Sequence, residues 1–158
     1  MKSLWRYPLI AVGVLVALCV EYAPVYDAGY VYEDHLSVER SSPVGLIELR
    51  PSPKLTLRPR VLSLSTFYLQ RNSSPTVMRL TNIILHVVVA ARVWVLLFRL
   101  GSSVDASLVG AVLFALNPLA MESVGYISGR PELLASIGVL VACVCVTRAE
   151  RWWVASTA

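Results

Sequence analysis

Apolar residues in this 158-residue chain gather into four long runs, separated by segments where charge, glycine and proline return. The first runs from about Trp5 to Glu21 around LIAVGVLVALCV. The second, LTNIILHVVVAARVWVLLF, covers about Leu80 to Phe98, enough to cross a hydrocarbon layer of about 30 Å at roughly 1.5 Å per residue. The third follows the break GSS and runs from about Val104 to Met121, with Pro118 set to kink or end it near one membrane face. The fourth has a short apolar heart, Leu133 to Val146. It reaches spanning length when counted from Pro131, which suits the first helical turn, to the Trp152–Trp153 pair, which suits a membrane interface. The pattern predicts an all-α integral membrane protein with about four transmembrane helices. Residues 1–21 form the first, 22–78 a long external loop with short interfacial helices, and 79–153 a three-helix part with a short external loop at about 122–130. Residues 154–158 are a tail.

Composition supports this. Hydrophobic residues make up 56% of the chain and charged ones 15%, against roughly 45–50% apolar in soluble domains, so a large soluble core is excluded. A secretory signal peptide would begin similarly, with Lys2 and Arg6 before an apolar core. No small-x-small cleavage site follows cleanly, and a retained anchor is the reading. Lys2, Arg6, Arg99, Arg148 and Arg151 flank the runs on one common side, which puts both termini in the cytoplasm and the two loops outside, in a bacterial inner membrane or the endoplasmic reticulum.

The formal charge of +4 is scattered without a dense basic run, which points to anionic lipid or phosphate and away from nucleic acid. The three cysteines lie inside apolar runs and behave as small hydrophobes. With only two histidines, His35 and His86, no closed His/Cys metal site can be assembled, and no resident cofactor is implied. The acids neither require nor exclude a divalent ion.

The candidate chemistry lies outside. Glu33 and Asp34 follow the first run, and the segment joining the third and fourth runs puts Glu122, Arg130 and Glu132 on the same outer side, so one external surface collects acids and an arginine suited to a phosphate-bearing lipid and a general base. A solvated loop or a helix cap is the ordinary role of such an acidic pair. Arg58 adds a second cation in the long loop. Asn82 and His86 sit one helical turn apart at i and i+4, where a lone intramembrane histidine usually bonds a neighbouring helix. Arg92 snorkels toward the cytoplasmic interface.

In order, an apolar anchor, YDAGYVYEDH, RPRVLSLSTFYL, LTNIILH and LFALNPLAMESVGYISGRPELLA resemble the N-terminal part of the tetratricopeptide-containing transmembrane O-mannosyltransferases, which are GT-C class glycosyltransferases. The resemblance covers about residues 5 to 147. It implies transfer of a sugar from a polyprenyl-phosphate carrier to an acceptor hydroxyl on the external side. Carried over, it makes Asp34 the candidate base with Glu33 beside it, and Arg130 a candidate to hold the carrier phosphate or to brace the site by pairing with Glu122. Three positions depart from the family pattern: Glu33 for a common Asp, Asn117 for a histidine before proline, and Arg79 for a common histidine. GT-C enzymes also carry many more spans, and four helices do not easily enclose both a lipid donor and an acceptor.

Two functions therefore stand side by side. One is a catalytic or formerly catalytic glycosyltransferase module, not active as this chain alone. The other is a small non-catalytic subunit packing against other membrane chains, as in a photosynthetic or respiratory assembly.

Overall fold

The computed structural model describes the backbone of residues 6–26, 29–30, 34, 47–48, 56–57 and 61–156. Glu33, Arg58 and His35 lie outside the described residues. What is described is helical, apart from a two-residue antiparallel pair, β1 (Ile47–Glu48) with β2 (Thr56–Leu57), in register Ile47 to Leu57. This pair falls where short helices and turns were expected. Ile47 and Thr56 are β-branched, and that favours extended backbone.

Two helices anchor the molecule. The first of these, α4 (Pro75–Arg99), has 25 residues, about 37 Å at helical rise, and is long and apolar enough to cross a membrane. It begins at Pro75, five residues before the expected Leu80, because Ser74 caps it and accepts from the Val77 N–H at 3.4 Å while Pro75 occupies the first turn. That added turn takes Met78 out of the expected loop and puts Arg79 well inside the helix. It ends in a Schellman motif: Gly101, at φ +100°, donates to Phe98 O, and Ser102 donates to Leu97 O at 3.2 Å. The break GSS is thus the exit of α4 and, through Ser103, the cap of the next helix.

That next helix, α5 (Val104–Ala115), stops short of Pro118. A 3₁₀ turn (Pro118–Ala120) and α6 (Met121–Gly125) follow at a bend of 49°. A second 3₁₀ turn (Ile127–Gly129) leads into α7 (Arg130–Ser156), and the stretch Ile127–Thr147 also has spanning length and hydropathy. By length and composition the described residues hold two membrane-crossing helices, or three if α5 and α6 are one broken span. The chain is a membrane-embedded protein. The first helix, α1 (Arg6–Glu21), has 16 residues, about 24 Å, less than the expected span over the described residues, and the four-residue α2 (Ala23–Tyr26) follows it.

Packing centres on α4, which contacts both α5 and α7 extensively. Leu18 and Tyr22, at the end of α1 and just beyond it, pack with Ile83, Val124 and Leu133. A second cluster joins Phe67, Met78 and Ile127. Phe67 belongs to α3 (Val61–Leu69), whose Ser63 and Leu64 are also buried, so this helix of the long loop is docked on the bundle. Large apolar side chains on the far sides of α1, α5 and α7, among them Leu9, Val20, Leu113 and Val139, stay exposed, as suits contact with lipid tails.

Candidate functional site

Where the loop after α1, the start of α4 and the segment 125–130 meet, the interior is polar. Asp34 has no exposed surface; its Oδ1 accepts from the Ser128 N–H at 2.9 Å, and its Oδ2 lies 4.0 Å from Arg79 Nη2. Arg79, 1% exposed, donates from Nε to Gly125 O at 3.2 Å and from Nη2 to Gly29 O at 2.6 Å. A single guanidinium therefore ties the chain after α1 to the end of α6. Sequence reasoning marked Arg79 only as a departure from a histidine. The signal it carried was a cation on an apolar helix, where a charge must find partners.

The second arginine, Arg130, is also fully buried. It donates to Asn82 Oδ1 at 3.0 Å, to Met78 O at 3.1 Å and to Thr66 Oγ1 at 3.4 Å, and its guanidinium lies 4.5 Å over the Phe67 ring. Those partners come from α3 and α4, so Arg130 clamps three helices, and all of them are neutral. The expected pairing with Glu122 is not made: Glu122 is exposed, and the guanidinium turns inward because α4 offers a ready row of acceptors. Asn82 joins both halves of the network, donating from Nδ2 to Tyr126 O at 2.8 Å while accepting from Arg130.

His86, one turn further along α4, serves a different place. Pro118 has no N–H, and the Leu119 N–H is taken by Asn117 Oδ1 at 3.1 Å, so the carbonyl of Ala115 loses its helical donor. His86 Nε2 meets that carbonyl at 3.0 Å, and its ring stacks with Phe114 at 5.6 Å. It bonds a neighbouring helix, as expected of a lone membrane histidine. Glu132 is exposed at the start of α7, where Ser123 Oγ donates to its carboxylate.

Of the expected site residues, then, Asp34, Asn82 and Arg130 converge, with Arg79 added. Glu122 and Glu132 remain on the surface beside this network, and His86 stands apart. Glu122 borders an open cavity of about 340 Å³ with Met121, Gly125 and Tyr126, whose last two carbonyls are the acceptors of Arg79 and Asn82. Among the described residues no group of three or more His, Cys, Asp or Glu is placed to hold a metal ion.

Over 94 residues, 58% of its length, the chain is 34% identical to Protein O-mannosyl-transferase TMTC3 of Homo sapiens. It resembles an O-mannosyl-transferase. The same protein of Mus musculus is 33% identical over 94 residues. The chain spans about a tenth of the length of these curated relatives. No family model matches, and no solved structure matches.

Proposed function

We propose that this chain is a module of GT-C glycosyltransferase type, derived from the N-terminal part of an enzyme that transfers a sugar from a polyprenyl-phosphate carrier to an acceptor hydroxyl on the external side of the membrane. One observation carries the reading. Asp34 and the segment Ser128–Arg130, which lie 94 residues apart and belong to the two motifs behind the family resemblance, share a buried polar network. The O-mannosyl-transferase likeness supports the same class.

By itself the chain is read as inactive. A general base must reach the hydroxyl it deprotonates, to about 2.6–3.2 Å. Asp34 has no exposed surface, and both its oxygens face donors of the protein. Arg130 is likewise enclosed, with three of its five N–H groups already used inside the bundle, so carrier phosphate would meet it only after rearrangement. The open cavity beside Glu122 is the accessible part of this end. In this reading both termini and the turn after Arg99 face the cytoplasm, the Asp34 end faces outside, and α1 is a further crossing.

The test is reconstitution of the chain in liposomes with polyprenyl-phosphate mannose and a Ser/Thr peptide. Saturable binding of the carrier without transfer is expected. Transfer would overturn the inactivity, and transfer undiminished in Asp34→Asn would remove Asp34 as base. Failure to bind the carrier at all would sink the glycosyltransferase reading.

A further inference from the structure

About two helical turns beyond Arg79 along α4, the break before Pro118 opens a groove of about 250 Å³ between α4, α5 and the start of α7. One wall is apolar, with Phe114 and Leu119, and the other carries His86, Asn117, Glu132 and Ser136. Each of these side chains spends one hydrogen-bonding position elsewhere, and what remains free is specific. The Ala115 carbonyl can only accept, so the His86 Nε2 that meets it carries a hydrogen, and Nδ1 has no partner among the described residues. His86 is 2% exposed. Glu132 accepts from Ser123 with one oxygen and keeps the rest of its acceptor sites. Ser136 donates to Glu132 O at 2.8 Å and keeps its own lone pairs. Asn117 uses Oδ1 on the Leu119 N–H, so its NH₂ is free to donate.

We propose that this groove binds the hydroxyl-bearing head of an uncharged amphiphile, a glycosyl or polyol group, with its first apolar carbons against Phe114 and Leu119. The free groups are acceptors in the majority, with one donor. A ligand that both donates and accepts fits them, as a hydroxyl does and an ammonium, which has no acceptor, does not. None of the described lining residues is basic and one is a carboxylate, so a phosphate is disfavoured and the groove is no second carrier-phosphate site. At about 250 Å³ it falls below the roughly 300–1,000 Å³ of sites for drug-sized ligands, which limits the head to about one ring. The proposal is argued from the groove alone and does not rest on sugar transfer by the Asp34 end.

The chain has two histidines, so ring ¹⁵N resonances in lipid nanodiscs separate His86 from His35 by substitution of either. Titration with octyl β-D-glucoside below its micelle concentration is expected to move the His86 Nδ1 resonance saturably while His35 stays put. Methyl glucoside distinguishes a free sugar from an amphiphile and is expected to bind at least about tenfold more weakly. Glu132→Gln should weaken the octyl glucoside about tenfold, the worth of one hydrogen bond to a charged group. Leu119→Trp, on a rim residue that is 86% exposed, should abolish binding by filling the groove. No shift with octyl glucoside would overturn the proposal. So would equal binding of octyl phosphate, octylammonium or methyl glucoside, or affinity unchanged in both variants.

Discussion

Arg79 and Arg130 are long cations buried inside the bundle, and each is held there by N–H groups spent on fixed acceptors. For Arg130 the acceptors diverge, to Asn82, Met78 and Thr66, and a fork is needed to reach them. Arg130→Lys keeps the charge but can satisfy fewer of them, so stability should fall by roughly 1–3 kcal/mol, read from chemical unfolding in mild detergent. The Asp34–Arg79 contact should show as coupling above about 1 kcal/mol in a double-mutant cycle of Asp34→Asn and Arg79→Gln; additivity would mean the two do not interact in solution. Tyr22 offers a pH handle. It is buried with its hydroxyl unpartnered among the described residues, and burial, aided by Glu21, pushes the phenol up to about 12. A folded-state value above the unfolded one near 10 means stability is intact below about pH 10 and is lost as pH climbs through about 12. Tyr22→Phe should flatten that alkaline loss.

Helix boundaries followed from short-range chemistry. Ser74-Pro75 and Gly101-Ser102-Ser103 are local start and stop signals, and the Pro118 break was legible because proline cannot continue the ladder. Legibility stopped at how the elements touch. Gly129 lets the turn before α7 lie against the backbone of Ser123: a Cβ there would overlap Ser123 main-chain atoms. Gly129→Ala should destabilise by roughly 1–3 kcal/mol and loosen the 125–130 segment that holds Asp34. At Gly110 the nearest atom, at 2.7 Å, is the mobile end of Leu97, and at Gly138, inside α7, nothing lies within 4 Å. Gly138→Ala should therefore be neutral or stabilising by up to about 1 kcal/mol. Thermal unfolding of the three alanine variants should rank them in that order.

For the molecule as a bilayer protein, the bent pair decides the topology. If α5 and α6 make one broken span, Ser102 and Glu122 lie on opposite faces; if the pair is re-entrant, they share one. Single-cysteine variants at the two positions, in a chain freed of Cys19, Cys143 and Cys145, should be labelled by an impermeant thiol reagent from opposite sides of sealed vesicles. Labelling from one side would reduce the crossings among the described residues to α4 and α7.

Composition and run length alone determined that this chain lives in a membrane, since that depends on total apolar content; they set the start of α4 five residues late, because its Ser74 cap lies outside the apolar run. The family likeness was also readable, because it rests on the order of short motifs. Only the tertiary structure decided which charges meet. Asp34 and Arg79 are separated by a segment that encodes no mutual spacing, and an unsatisfied cation in an apolar bundle takes whichever carbonyls and amides the packing brings within 3 Å. For the same reason Arg130 faced inward to Asn82 and left Glu122 on the surface.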